Sequence, residues 1–262
     1  MRRGGLAGLL VVVLTVAAAL VAVALHRHAS RERLRLIVQQ QCVPHWLATH
    51  QPAPCSSVTL VGGGPDAQGY AVLPDRKGGA HFLLIPTRTV TGIESPAARS
   101  ADAPNYFAAA WNSRQVLEAA AGVPLPRTAV ALAVNQRRAR SQDQLHIHMS
   151  CLRPSTSAVL RETAAQLGVR WRRLAVGGYS YYAMRVMGEQ LASANPIRLL
   201  AEGVPGAQER LADYTLLVAG EAFAEGPGFV LLAAQGVPGA ELLLDASCAV
   251  ARDAAAAASS RR

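Results

Sequence analysis

The feature that most constrains this chain is an eight-residue run, 144–151, in which polar and apolar residues alternate strictly. Successive side chains of a β-strand point to opposite faces, so the alternation predicts a strand with one packed face and one polar face. The polar face carries Gln144, His146, His148 and Ser150. Two imidazoles and a hydroxyl make a poor core surface, because each needs a hydrogen-bond partner once buried. The run therefore predicts a strand that contributes to a functional site.

Three interpretations of the histidine pair are open. The commonest role of a His-x-His pair is to line the solvated face of an amphipathic strand. The second is a metal site, since alternate strand residues reach one ion. No other histidine lies in a tight sequence cluster with Asp or Glu, so neither a metal nor another cofactor is predicted. The third is a nucleophilic histidine that attacks phosphorus.

The segment 135–143 favours the nucleophile. It is almost wholly polar and joins two strand-like runs, 128–134 and 144–152. Its guanidinium groups, amides and backbone N–H donors lie beside the histidine face and suit a phosphate. The alternative is a solvated hairpin loop whose arginines point to water.

These residues resemble the histidine-triad motif, His-x-His-x-His with apolar x, with Ser150 at the position of the third histidine. Asn135, eleven residues before His146, matches the phosphate-side asparagine of that superfamily, and residues 79–86 resemble its His-Phe-Leu-x-x-Pro strand. Within the superfamily the whole chain is most similar to the bacterial CDP-diacylglycerol pyrophosphatases. The similar features are the apolar amino-terminal segment, the first two cysteines, the 91–96 turn, residues 145–154 and a carboxy-terminal cysteine.

The resemblance implies roles for particular residues. His148 would be the nucleophile, His146 would orient it, and Ser150 would take the place of the third histidine. The implied phosphate-binding residues are Asn135, Arg140, Gln142 and His81. Asp75 is a weaker candidate for binding a ribose hydroxyl, since an aspartate in a turn more often serves its own backbone.

The implied reaction is hydrolysis of the pyrophosphate bond of CDP-diacylglycerol, which yields CMP and phosphatidate through a cytidylyl-histidine. Two alternatives stay open: a transferase that passes CMP to an alcohol or phosphate acceptor, and a non-catalytic binder of anionic lipid. The net charge of +9 suits an anionic substrate, but aromatic residues are only 5% and no nucleic-acid motif is present. We therefore predict no nucleic-acid partner. The sequence does not set the oligomeric state.

Residues 6–25 carry no charge and are long enough to span a bilayer, which predicts one transmembrane helix that anchors the chain in the inner (cytoplasmic) membrane. The alternative is a cleaved signal peptide, since residues 22–24 (Ala-Val-Ala) fit a cleavage site. Arginines after the segment outnumber those before it, which favours a cytoplasmic domain. The cysteines argue for the periplasmic side, and we expect that side.

Four cysteines allow three disulfide pairings, and the sequence does not select one. We expect Cys42 with Cys55, which are close across a Pro-containing loop, and Cys151 with Cys248. Such bonds persist outside the cytoplasm. The alternative is four free buried thiols.

The expected fold is α+β, a histidine-triad-like antiparallel sheet with flanking helices. The elements that predict it are a hairpin (70–73 with 81–86), a helix (105–121, ending at Gly122) and a second strand pair (128–134 with 144–152). A later hairpin, 214–218 with 229–233, weakly echoes the first and suggests a second half from about residue 155. The expected organisation is an anchor with its flanks (1–30) followed by one hydrolase domain (31–262).

Overall fold

The computed structural model describes residues 29–62, 68–189, 191–192 and 194–253, together with positions 14, 16 and 21. Apart from those three positions, the predicted membrane anchor at 6–25 lies outside the described residues. Among the residues that are described, no helix combines the length and the apolar character needed to cross a bilayer.

The described strands form one large sheet in which all the pairings are antiparallel. Its order is β1-β2-β3-β5-β4-β8-β9-β7-β6, and the short β10 pairs with β5. The bounds are β1 Ser57–Val61, β2 Gln68–Pro74, β3 Phe82–Pro86, β4 Val130–Val134, β5 Ile147–Leu152, β6 Arg172–Val176, β7 Tyr179–Met187, β8 Tyr214–Phe223, β9 Gly226–Gln235 and β10 Leu244–Asp245.

Helices flank the sheet, as the predicted α+β class requires. They are α1 Arg33–Ile37, α2 Val43–Thr49, α3 Pro96–Arg99, α4 Tyr106–Asn112, α5 Gln115–Ala121, α6 Pro154–Thr163 and α7 Pro196–Gly203. A π-helical turn, Val38–Cys42, joins α1 to α2. Short 3₁₀ turns lie at Arg127–Ala129, Ala164–Gln166, Gln208–Asp213 and Ala240–Leu243.

The central strands are buried on both faces, so alternation assigns each side chain to one of two cores. In β4, Leu132 packs into a core that α4, α5 and α7 cover, whereas Ala131 and Ala133 pack into a core on the side of α6. The apolar residues of the 144–151 run all lie in the first core, as predicted: Leu145, Ile147, Met149 and Cys151.

Two predicted elements differ in extent. The strand predicted at 144–152 begins at Ile147, because Gln144 turns its amide inward, where it donates to the carbonyls of Pro86 and Arg88. The helix predicted at 105–121 is two helices, because the backbone leaves helical geometry at Ser113 (φ −90°, ψ 1°), where α4 ends. Gly122, at φ 68°, ends α5 as expected.

The strand order β2-β3-β5-β4 recurs as β6-β7-β9-β8, with β4 and β8 adjacent at the centre of the sheet. Helices follow the second strand of each set, α3 to α5 in the first and α7 in the second. A duplicated half would give this recurrence, and the duplication itself stays a prediction.

Two disulfides join the expected pairs. Cys42 bonds Cys55 across 13 positions, and Cys151 bonds Cys248 across 97 positions. The first fastens the end of the π-helical turn to the segment before β1, and the second fastens β5 to the carboxy-terminal turn. Disulfides are typical of oxidising compartments outside the cytoplasm.

Candidate active site

A cleft of about 450 Å³ opens beside β5. Its walls come from four places: α1, the end of β2 with the turn after it, the loop after β4, and the Ala240–Leu243 turn. Residues that line it are Arg33, Leu34, Ile37, Leu73, Asp75, Arg76, Lys77, Leu83, Asn135, Ser141, Gln142, His146, His148 and Glu241. One wall is therefore apolar, and the rest is polar and rich in cations.

His148 lies at the centre of this site. Its backbone is fixed in the sheet, opposite Leu83 of β3 and Ala133 of β4. The Nδ1 atom of His148 lies 3.0 Å from Nε2 of His81. The Nε2 atom of His148 lies 3.3 Å from Oε2 of Glu241 but forms no hydrogen bond with any described residue. The imidazole is thus held through Nδ1, and its buried Nε2 lies next to Glu241, in a residue that lines the cleft.

His146 lies next to His148, with ring centroids 5.1 Å apart. Its Nδ1 atom is 2.7 Å from the carbonyl oxygen of Gln144. A carbonyl only accepts, so this contact places the ring proton of neutral His146 on Nδ1. The structure therefore gives this imidazole a fixed orientation.

Burial lowers the pKa of all three histidines. The pKa of His148 lies well below the ordinary 6.5, first because burial disfavours the charged imidazolium and then because His146, His81 and Lys77 are nearby. Burial is also the main cause of the lowered pKa of His81 and of His146. The cluster is therefore uncharged at neutral pH. If His148 donates its Nδ1 proton to His81, its Nε2 carries the lone pair that a nucleophile needs.

The predicted phosphate-binding residues divide into two groups. Asn135 lines the cleft; its Oδ1 accepts from the backbone N–H of Glu241 at 3.2 Å, and its Nδ2 makes no hydrogen bond to the described residues. Gln142 also lines the cleft, but its amide holds α1, since Oε1 accepts from the N–H of Leu34 and Nε2 donates to the carbonyl of Ser30. Asn135 is therefore the better anion donor.

Two predicted residues face away from the cleft. Nη1 and Nη2 of Arg140 bond the carboxylate of Glu94, at 3.1 and 2.8 Å, which leaves Arg140 in a largely buried ion pair outside the lining. The Ser150 hydroxyl donates to the carbonyl of Ala80 at 2.7 Å and also lies outside the lining. Ser150 therefore holds β5 against the segment before β3.

Asp75 lies closer to the histidines than the sequence indicated. Its backbone N–H donates to the carbonyl of His81 across the turn that joins β2 to β3. One potential ligand atom each from Asp75, His81 and His148 lies within 4.8 Å of the others. The sequence had shown no such cluster, because Asp75 and His148 meet only through the pairing of strands. The two imidazoles bond each other through one nitrogen each.

Several cleft residues were missed from the sequence. Glu241 contacts His148, and the Nζ atom of Lys77 is 3.6 Å from its carboxylate. Arg33 and Arg76 are exposed at the cleft and pair with no described carboxylate. One signal was available for Lys77, since it is the only lysine in the chain.

The fold and the cleft together define an α+β protein with a buried, uncharged histidine cluster facing a cationic pocket. Comparison with known proteins gives the family. The family model described as CDP-diacylglycerol pyrophosphatase matches residues 29–252. A protein of Yersinia pestis named CDP-diacylglycerol pyrophosphatase is 39% identical over 194 residues, which are 73% of each chain. The chain belongs to the CDP-diacylglycerol pyrophosphatase family, as its sequence motifs indicated.

Proposed function

We propose that this chain hydrolyses CDP-diacylglycerol to CMP and phosphatidate, with His148 as the nucleophile. The proposal rests on three properties of the His148 imidazole in a chain of this family. Its Nδ1 is hydrogen-bonded to His81, its pKa is lowered by burial, and its buried Nε2 has no hydrogen bond to the described residues. A nucleophilic imidazole needs these three properties.

In the first step, the Nε2 lone pair attacks the cytidylyl phosphorus and the bond to the phosphatidate oxygen breaks. His81 keeps the Nδ1 hydrogen bond and so keeps the ring aimed at phosphorus. The free Nδ2 of Asn135 and the ammonium of Lys77 offer donors to the phosphoryl oxygens. Donors that are already in place stabilise the charge that develops in the transition state.

The leaving group accounts for a serine at the third motif position. Phosphatidate is a phosphate monoester whose second pKa is about 6, so it leaves as an anion without needing a proton. An acid at position 150 is then dispensable, and the Ser150 hydroxyl is free to bond the carbonyl of Ala80. In the second step, water attacks the cytidylyl-histidine, CMP is released and His148 is restored.

A lipid substrate suits the walls of the cleft. Leu34 and Ile37 of α1 form an apolar side together with Leu73 and Leu83, opposite the cations. The chain before α1 contains the apolar run at 6–25. We propose that this run anchors the chain in the inner membrane, with the domain in the periplasm. The cleft would then lie near the headgroups.

The test is CMP release from CDP-diacylglycerol in mixed micelles, with chelator present throughout. Wild-type chain is compared with His148→Ala and with a matched control, His45→Ala, whose side chain is on the exposed face of α2. Turnover should fall by orders of magnitude only in His148→Ala. Equal turnover in all three proteins would show that His148 is not the nucleophile. If the wild-type chain loses turnover in chelator, the reaction depends on a metal and the proposed mechanism is wrong. Added glycerol separates hydrolase from transferase, because only a transferase converts it to cytidylyl-glycerol.

A further inference from the structure

Glu241 lies where the second half of the proposed reaction requires an acid–base group. Its Oε2 atom is 3.3 Å from Nε2 of His148, the atom that would carry the cytidylyl group. The other ionisable groups nearby are His146 and His81, which are held by hydrogen bonds through Nδ1 and Nε2 respectively, and Asp75, whose Oδ1 accepts from the backbone N–H of Lys77. The carboxylate of Glu241 makes no hydrogen bond in the described part of the chain, and its only ion-pair contacts there are His148 and Lys77.

The backbone of Glu241 is held firmly although its side chain is not. The Ala240 N–H donates to the Thr215 hydroxyl at 2.7 Å, and the Glu241 N–H donates to Oδ1 of Asn135 at 3.2 Å. Gly239 makes this approach possible: its φ is 154°, and an added Cβ would lie 2.6 Å from Oδ1 of Asn135. The Ala240–Leu243 turn therefore packs against the cleft wall. The carboxylate of Glu241, two methylenes from the backbone, lies at the cleft.

The carboxylate of Glu241 and a substrate phosphate compete for the ammonium of Lys77. The ammonium of Lys77 lies 3.6 Å from Oε1 of Glu241, and both residues line the cleft. A substrate phosphate that binds Lys77 replaces one anion by another and releases Glu241. The side chain of Glu241 is 25% exposed, so it has room to turn away from Nε2 when phosphorus arrives there.

We propose that Glu241 is the general base for hydrolysis of the cytidylyl-histidine, an inference that rests on the proposed function. The carboxylate takes one proton from water as the water oxygen bonds to phosphorus. The N–P bond breaks, its electron pair returns to Nε2 of His148, and CMP leaves with the water oxygen. Glu241 then gives its proton to solvent. The first step, in which phosphatidate leaves as an anion, needs no such base.

The test separates the two steps in Glu241→Gln, which keeps the size of the side chain and removes its basicity. Steady-state CMP release should fall about 10²- to 10⁴-fold, the usual contribution of a general base. One equivalent of phosphatidate should still be released rapidly, and cytidylyl-enzyme should accumulate. Azide or fluoride, which need no deprotonation, should restore turnover. The matched control is Glu162→Gln, an exposed residue of α6.

The outcomes distinguish this inference from the proposed function. Normal CMP release by Glu241→Gln overturns the inference and leaves His148 in place. A slow variant without accumulated cytidylyl-enzyme and without rescue by azide or fluoride also overturns it, because a structural role would slow both steps. If His148→Ala releases CMP as fast as wild type, the proposed function itself fails, whatever Glu241→Gln does.

Discussion

Nε2 of His81 lies 3.0 Å from Nδ1 of His148, although the two residues are 67 positions apart. The register of β3 against β5, in which Leu83 is opposite His148, brings them together. Their ring centroids are 5.2 Å apart and tilted by 38°, so the contact is an in-plane hydrogen bond rather than a stack. A pairing between strands thus fixes the orientation of the imidazole of the proposed nucleophile.

Removal of the His81 acceptor should slow catalysis without weakening substrate binding. A lost buried hydrogen bond costs about 1–3 kcal/mol, which corresponds to a roughly 5- to 150-fold decrease in kcat. His81→Leu should show this decrease with KM nearly unchanged. His81→Gln offers an amide oxygen in place of Nε2 and should recover part of the loss. A rise in KM alone would instead assign His81 to phosphate binding.

As pH is lowered, kcat/KM should begin to fall only at a pH below the ordinary histidine pKa of 6.5. Burial lowers the pKa of His148 well below 6.5, so the imidazole stays neutral as pH falls through 6.5 and loses its lone pair only at lower pH. The profile of kcat/KM should therefore be flat from pH 8 to pH 6.5. An acid limb with its midpoint at 6.5 or above would contradict a buried, neutral nucleophile.

The same shift makes folding depend on pH. Because the folded pKa values of His81, His146 and His148 are lowered, the unfolded chain binds more protons than the folded chain just below 6.5. The free energy of unfolding should therefore decrease as pH falls below 6.5, and substitution of His148 by Leu should reduce that slope. Urea titrations at pH 7.5 and at pH 5.5 measure the difference. An identical slope in wild type and variant would show that His148 is not buried as an uncharged group.

Arg140 should matter for stability and not for substrate affinity. Arg140→Met leaves the carboxylate of Glu94 without its bidentate partner, and breaking a buried pair costs about 3–5 kcal/mol. The double variant Arg140→Met/Glu94→Met should recover most of this stability. The KM of the double variant shows whether Arg140 binds substrate. A KM near the wild-type value fits a purely structural ion pair, whereas a large increase would show that Arg140 binds the substrate phosphate.

The two disulfides should contribute unequally. Chain entropy predicts about 4.7 kcal/mol for a loop near 100 residues and about 3 kcal/mol for one near 15 residues. The Cys151–Cys248 bond closes the longer loop, so Cys248→Ser should lower the free energy of unfolding more than Cys55→Ser does. Denaturant unfolding of both variants, without reductant, measures this difference. Equal losses would indicate that the unfolded chain retains structure between Cys151 and Cys248.

Local patterns in the sequence predicted much of the fold. The alternation at 144–151 gave the packed face of β5, and the Gly- and Pro-bounded apolar runs gave the β2–β3 and β8–β9 hairpins. The break at Ser113 was missed, because helical spacing of apolar residues continues across it. Periodicity reports which face of an element is buried, and it does not report a departure of one residue's backbone from helical geometry.

The candidate site was predictable only where its residues are close in sequence. His146 and His148 were found from their spacing, and His81 and Asn135 from a resemblance. Glu241 was missed because β10 and the turn before it reach β5 through a long-range pairing. Arg140 was assigned to phosphate because its partner, Glu94, lies in a separate loop. Strand pairing and ion-pair choice are set by the whole fold, so no local window contains them.

The most direct test of a covalent histidine mechanism is the stereochemical course at the cytidylyl phosphorus. CDP-diacylglycerol made chiral at that phosphorus with sulfur is hydrolysed in ¹⁸O-labelled water, and the configuration of the resulting CMP phosphorothioate is determined. Two in-line displacements, first by His148 and then by water, predict retention of configuration. Inversion would mean that water attacks phosphorus directly and that His148 is not the nucleophile.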